Sequence, residues 1–185
     1  HTSLGGVYAR PDCSTSVEGL FVCGETLGGL HGANRIGGNA GLETMVFGRR
    51  AGCSAAAYMD TLSGEPADCT DEISDAAATV NIDALRAELT KIVGGALGVI
   101  REAGKLEQAK TELERMLEQI LESGCYAQQR LRNDTLTAYA VTLAALERKT
   151  STGCHVRTDS AGEPEKYRVN IRCENGRAVP RRTEI

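Results

Sequence analysis

The stretch that most constrains this chain runs from His31 to Gly41 and reads HGANRIGGNAG. It places one arginine, Arg35, between glycine-bearing turns and leads directly into a helical pattern, LETMVFGRRAGCSAAAYMD. A loop that lays backbone amides against a planar or anionic ligand needs residues without a Cβ atom. The helix that follows adds the partial positive charge of its N-terminus. The stretch therefore predicts a ligand-binding loop at the start of a helix.

Composition narrows the classes of function. The 185 residues are 41% hydrophobic and carry a formal net charge of −4. No apolar run approaches the length of a membrane helix, so direct membrane insertion is not expected. The negative charge offers no electrostatic basis for binding nucleic acid. The seven cysteines include no C-x-x-C pair and no histidine stands at ligand spacing, which argues against a metal site and favours reduced cytosolic thiols.

Residues 1–62 are predicted to form one segment that contains the ligand-binding loop. Short extended runs alternate with turns, and LFVCG at residues 20–24 is predicted to be a short buried strand. From residue 42 to about residue 60 the pattern is helical. Gly48 and Gly52 stand four residues apart on this helix, which predicts close packing against another backbone.

Residues 63–80 hold five acidic residues and no basic ones, which predicts an acidic linker. At the other end, residues 151–185 are predicted to form a loop followed by a β-hairpin tail. Asn175 and Gly176 stand between two alternating runs, and this dipeptide is a strong hairpin signal. Pro180 restricts the second strand to the edge of a sheet.

Residues 81–150 are predicted to form a three-helix bundle. Apolar residues recur at helical spacing in three runs, the second of which spans residues 105–122, and such stripes are usually core. Each predicted boundary stands at a residue suited to starting or ending a helix: Asn81 or Asp83, Gly94–Gly95, Ser123–Gly124 and Asn133–Asp134.

Two separate blocks of the sequence resemble one flavoprotein family. HTSLGGV at residues 1–7 and GLFVCGETLGGLHGANRIGGNAGLETMVFGRRAG at residues 19–52 resemble the flavoprotein subunits of the fumarate reductase and succinate dehydrogenase family, to which L-aspartate oxidase is related. The G-x-G-x-x-G turn that holds the FAD pyrophosphate in this family does not occur in the sequence. The resemblance implies the C-terminal part of a longer flavoprotein. Its implied α+β fold is the end of an FAD-binding α/β domain, followed by a three-helix bundle and a β-hairpin.

The resemblance also implies roles for six residues. His1 and Arg35 would bind the carboxylates of a dicarboxylate substrate, and a guanidinium presents a rigid fork of donors suited to that task. Glu25 would accept a hydrogen bond from a ribityl hydroxyl of FAD. Three backbone amides would lie against the carbonyl edge of the isoalloxazine: those of Asn39, Ala40 and Gly41. No catalytic residue is assigned, since the proton donor of the family lies on a capping domain that precedes His1 in sequence.

The implied reaction is hydride transfer between FAD and a C4 dicarboxylate, fumarate to succinate or the reverse. The fragment alone is expected to be inactive. Two alternatives stand beside this interpretation: an L-aspartate oxidase, and a helical module in which residues 81–185 dock on an iron–sulfur partner subunit. The expected location is the cytoplasm; a membrane-bound partner would place the protein at the cytoplasmic face of the membrane. His31 and His155 are predicted to be structural histidines satisfied by backbone groups.

Overall fold

The computed structural model describes most of the chain: residues 3–64, 77–122, 125–163 and 166–184. The chain divides into two compact units between Asp68 and Cys69. This division falls within the predicted acidic linker, residues 63–80, of which residues 65–76 lie outside the described residues. The linker, and the four-segment division to which it belongs, therefore stay predictions.

The first unit is organised around one long helix, α1, Asn39–Met59. This confirms the helix predicted after the glycine-rich loop. Gly38 precedes it with a backbone φ of +87°, a left-handed conformation that favours glycine. The buried residues of α1 are Glu43 and Ala51. Much of its apolar surface faces outward, as three exposed side chains show: Leu42, Met45 and Val46.

The close packing predicted at Gly48 and Gly52 is wrong for the described part of the first unit. A Cβ atom built on either glycine meets no heavy atom within 4 Å. Among the described residues, neither glycine therefore lies beside another backbone segment. Small residues at this spacing permit a close approach but do not create one.

The strand predicted at residues 20–24 is also wrong. Phe21 forms an isolated antiparallel bridge with Ser14, and Gly24–Thr26 turns into a short 3₁₀ helix. A strand needs continuous hydrogen bonding to a neighbour. The described residues of the first unit place no extended strand beside this segment, so its apolar composition yields only one bridge.

A tight backbone crossing holds the beginning of the described chain against the segment that carries Glu25. The Val7 amide donates to the Thr26 carbonyl at 2.8 Å, and the Gly28 amide donates to the Val7 carbonyl at 2.9 Å. Gly6 has a φ of +147°, and a Cβ atom built on it would lie 2.2 Å from the Thr26 oxygen. Only glycine fits at this crossing.

The second unit contains the predicted three-helix bundle: α2, Ile82–Ala96, α3, Ala103–Gln119, and α4, Tyr126–Glu147. Helix α3 packs against both other helices. Its apolar stripe forms the centre of a core with four fully buried apolar side chains: Leu113, Met116, Ile120 and Leu131. Among the described residues, no helix combines the length and apolarity needed to cross a bilayer.

Tertiary packing corrects some of the predicted helix boundaries. The Asn81 side chain accepts a hydrogen bond from the Ala84 amide at 3.0 Å, which confirms it as the cap of α2. Helix α2 continues through Gly94–Gly95, and Asn133–Asp134 lie inside α4 rather than at its start. A glycine in a helix costs about 1 kcal/mol, which burial of an apolar face outweighs. The predicted stop at Ser123–Gly124 lies outside the described residues.

Four strands complete the second unit: β1, Ile100–Arg101, β2, Val156–Arg157, β3, Tyr167–Glu174, and β4, Arg177–Glu184. Strands β1 and β2 pair in parallel, whereas β3 and β4 form the predicted antiparallel hairpin. Asn175 and Gly176 form its turn with φ angles of +51° and +74°. Pro180 pairs with Ile171 in a two-stranded sheet, where both strands are edges and a missing amide hydrogen is tolerated.

Candidate functional site

The predicted ligand-binding loop, residues 31–41, lies in the first unit and runs into the first turn of α1. Four charged or titratable side chains line one depression at this loop: Glu25, His31, Arg35 and Glu43. The structure thus brings together two of the predicted site residues, Glu25 and Arg35. His1 lies outside the described residues, so its substrate-binding role stays a prediction.

Glu25 is held at the edge of this depression by the beginning of the described chain. Its Oε1 atom accepts a hydrogen bond from the Ser3 amide at 2.8 Å. The residue is exposed and belongs to the short 3₁₀ helix that precedes the loop. An ionised carboxylate has acceptor sites on both oxygens, so it can also receive a hydroxyl group of a ligand.

Asn39, Ala40 and Gly41, the residues whose amides are predicted to contact the flavin, form the first turn of α1. The Asn39 amide donates to the Ile36 carbonyl at 3.3 Å, and the residue at the cap position, Gly38, has no side chain to cap the helix. The amides of Ala40 and Gly41 follow in the first turn, where a helix offers no internal acceptor. A Cβ atom built on Gly38 or Gly41 meets no heavy atom within 4 Å. This helix start can therefore receive an electron-rich group against its backbone.

One buried pair in the site was not predicted from the sequence. His31 Nε2 lies 2.6 Å from Glu43 Oε2, and the two side chains are 17% and 6% exposed. The prediction that backbone groups satisfy His31 is wrong, because its partner is a carboxylate on α1. A signal was present in the sequence: Glu43 is the one acidic residue between His31 and Met59.

A second depression in the first unit lies away from the predicted site. Arg10, Thr15, Phe21 and Tyr58 are among the residues that line it, and none of the predicted site residues do. The Arg10 guanidinium already donates to the Thr15 carbonyl at 2.6 Å. This depression therefore lies between the segment at residues 10–21 and α1, and it is not assigned to the predicted site.

The histidine of the second unit is structural, as predicted. His155 Nδ1 lies 3.0 Å from Arg101 Nη1, and its Nε2 donates to the Arg148 carbonyl at 3.0 Å. Burial lowers the pKa of His155, and the surrounding arginines act in the same direction. Beside it, a hydrogen bond from Arg157 holds the pKa of Asp159 well below its usual range. These groups tie the loop after α4 to its neighbours.

Two family models match separate parts of the chain. The model described as an FAD binding domain matches residues 1–40. The model described as the fumarate reductase flavoprotein C-terminus matches residues 86–170. The first match includes Glu25 and Arg35, and the second spans most of the helical bundle.

Known proteins similar to this chain are longer than it is. The chain is 35% identical over 184 residues to an uncharacterised FAD-dependent oxidoreductase of Methanocaldococcus jannaschii, covering 92% of this chain and 34% of that protein. It is 32% identical over 178 residues to a subunit of the CoM/CoB fumarate reductase of Methanothermobacter marburgensis, covering 86% and 32%. It is 34% identical over 161 residues to an L-aspartate oxidase of Rhodospirillum rubrum, covering 86% and 55%. The chain thus spans about a third of the length of the first two relatives.

Solved structures share the fold. The apo Sdh1 complex of Mycobacterium smegmatis matches all of this chain and 36% of its own with a TM-score of 0.79 and 28% identity. A variant of E. coli quinol fumarate reductase matches all of this chain and 37% of its own with a TM-score of 0.80, and at 22% identity it bears on the fold alone. Family models, relatives and fold agree, and this chain belongs to the fumarate reductase and succinate dehydrogenase flavoprotein family, whose cofactor is FAD.

Proposed function

We propose that this chain is the C-terminal portion of an FAD-dependent oxidoreductase that transfers a hydride between flavin and a C4 dicarboxylate, fumarate or succinate. The observation that carries the proposal is the meeting of Arg35 and Glu25 in one depression, just before the uncapped start of α1. Since the relatives are longer, the activity is proposed for the complete flavoprotein.

Arg35 is the proposed substrate clamp. It is half-buried, and its guanidinium offers paired N–H donors to a carboxylate. His1 is the proposed second contact to the substrate carboxylates. Holding both carboxylates fixes the reacting carbon in place and polarises the double bond, which assists addition of a hydride.

The described residues fit a flavin on chemical grounds. Glu25 offers acceptor oxygens to a polyol, and the first turn of α1 offers the amides of Ala40 and Gly41 beside open space. Bound FAD would supply the site that accepts or donates the hydride. The proposed role of the chain is to hold and orient that group and the substrate.

The isolated chain is expected neither to bind FAD tightly nor to reduce fumarate. Its sequence has no G-x-G-x-x-G turn for the pyrophosphate, and the proposed proton donor is not among its residues. A titration of the 185-residue chain with FAD, followed by flavin fluorescence and by thermal stability, checks this. Stoichiometric flavin in the purified chain would contradict it.

The substrate proposal is tested by Arg35→Lys in the complete flavoprotein. Loss of the bidentate contact should raise KM for fumarate about 100-fold, which corresponds to about 2.7 kcal/mol of binding free energy. Flavin content should stay unchanged. Arg49→Lys is the matched control, since Arg49 is exposed on α1. An unchanged KM in the Arg35 variant would refute the clamp.

L-aspartate oxidase activity is the competing hypothesis, because five similar proteins carry that name. Aspartate also presents two carboxylates, so Arg35 would serve either substrate. The complete flavoprotein should be assayed with succinate, fumarate and aspartate in parallel. Oxidation of aspartate to iminoaspartate without oxidation of succinate, each assayed with the same artificial electron acceptor, would replace the first proposal.

A second candidate function, docking of a partner subunit by residues 81–185, is favoured by the hairpin. Its register places alternate residues on opposite faces. One face includes the buried Tyr167, whose hydroxyl donates to the Glu147 carbonyl at 3.3 Å. The opposite face carries no lysine and four arginines, Arg168, Arg172, Arg177 and Arg181, and its one acidic residue, Glu174, pairs with Arg181. Arginine is enriched and lysine depleted at protein interfaces, so this face suits an acidic protein surface.

The docking proposal predicts a charge-dependent complex with an iron–sulfur subunit. The double variant Arg168→Glu and Arg172→Glu should abolish co-purification of that subunit, while turnover with a soluble artificial electron donor persists. Lys91→Glu with Arg130→Glu makes the same charge change at exposed helix positions and should leave the complex intact. Equal loss in both double variants would contradict docking through the hairpin.

A further inference from the structure

The ligand-binding loop is closed by a side-chain contact that crosses it. His31 stands at its first position, and Glu43 lies on α1 just beyond its last. Their 2.6 Å contact joins residues twelve positions apart, with Arg35 between them. The same loop contains Gly32 and Gly38 with φ angles of +59° and +87°, and glycine restricts the backbone least of all residues. The cross-link therefore limits the freedom of the segment that carries Arg35.

Burial explains why Glu43 needs a polar partner. Glu43 is 7% exposed, and a carboxylate removed from water is stable only beside a hydrogen-bonding or charged partner. His31 is that partner, since its Nε2 atom lies 2.6 Å from Glu43 Oε2. The other charged groups that line the same depression are Arg35 from the loop and Glu25 from the 3₁₀ helix.

We propose that the His31–Glu43 pair is a positioning device for Arg35, which sets how well the complete flavoprotein binds a dicarboxylate. The inference rests on the proposed function of Arg35. The pair acts through the loop and does not itself contact the substrate. Both members are therefore required, and removing either one should have the same consequence.

The test uses His31→Gln and Glu43→Gln in the complete, FAD-loaded flavoprotein. Succinate is the probe, and its dissociation constant is read from the change in flavin absorbance. Each variant should raise that constant about tenfold, and the double variant should raise it little further, because one contact is lost in all three. In an Arg35→Lys background the same substitutions should add nothing. This non-additivity separates positioning from a general loss of stability, which would add to any background.

Control variants distinguish a loss of succinate binding from a loss of FAD or of stability. Arg49→Gln changes an exposed residue farther along α1 and should leave succinate binding unaltered. FAD content and thermal midpoint are measured for every variant. If Glu43→Gln fails to retain FAD, Glu43→Asp keeps the charge with a shorter reach and should show the tenfold effect instead.

Three results would overturn the inference. Unchanged succinate affinity in Glu43→Gln would show that the pair does not position the loop. A large effect of His31→Gln with none of Glu43→Gln would make His31 a direct substrate contact. Failure of the unaltered FAD-loaded protein to bind succinate would instead refute the proposed function, and the inference with it.

Discussion

The two units of this chain bury apolar side chains to very different extents. In the second unit Leu113 and Met116 are 0% exposed, at the centre of a three-helix core. In the first unit the main helix leaves Leu42 and Met45 63% and 76% exposed. The candidate site therefore lies on the unit with the smaller core of its own. This separation predicts that stability and ligand binding respond to different sets of substitutions.

The largest difference is expected from truncation of a core side chain. Leu113→Ala removes a fully buried side chain and should lower the free energy of unfolding by about 3 kcal/mol. Met45→Ala, at an exposed position of α1, should change it by less than about 0.5 kcal/mol. Urea unfolding followed by circular dichroism measures both. Equal effects would mean that the first unit has a core of comparable strength.

The second-largest change in stability is expected from a glycine substitution in the first unit. Gly6→Ala would place a Cβ atom 2.2 Å from the Thr26 oxygen at a φ of +147°, and should destabilise this unit by roughly 2 kcal/mol or more. Gly48→Ala lies in open space on α1 and should stabilise the isolated chain by up to about 1 kcal/mol. The rate of limited proteolysis within residues 3–64 reports on both. Equal proteolysis rates would contradict the steric argument.

A smaller, pH-dependent effect should be confined to the second unit. Burial lowers the pKa of His155, so the unfolded chain binds its proton more readily than the folded chain does. Stability from this group is therefore fully present above about pH 6.5 and is lost as the pH falls through the lower folded pKa. Urea midpoints between pH 8 and pH 5 measure the loss. His155→Gln should remove the part of the slope that this histidine causes, and an unchanged slope would refute the assignment.

The smallest effect is expected at the surface of the hairpin. Arg182 lies over the Tyr167 ring at 4.7 Å and pairs with Glu147, but it is largely exposed. Arg182→Ala should therefore lower the free energy of unfolding by only about 0.5 kcal/mol. Thermal unfolding of the chain measures it. A loss as large as that of Leu113→Ala would show that the hairpin belongs to the core of the second unit.

Local patterns in the sequence predicted which helices and turns form better than they predicted the residues at which the helices begin and end. The spacing of apolar residues predicted α1 and the three helices of the bundle, and Asn175–Gly176 predicted the hairpin turn. Both signals are local, because a helix face and a turn are encoded within a few residues. The prediction of a strand at residues 20–24 was wrong, because a strand depends on a partner elsewhere in the chain. The prediction of a helix start at Asn133–Asp134 was wrong, because burial keeps α4 helical through these residues.

The candidate site shows the same division. The loop chemistry could be read from residue types alone: Arg35 among glycines, Glu25 before them, and a helix start after them. The three-dimensional fold was needed to show that His31 and Glu43 meet across the loop, and that Arg35 and Glu25 line one depression. The physical reason is that conformational freedom and residue chemistry are local properties. A 2.6 Å contact between side chains twelve residues apart depends instead on the path of the whole loop between them.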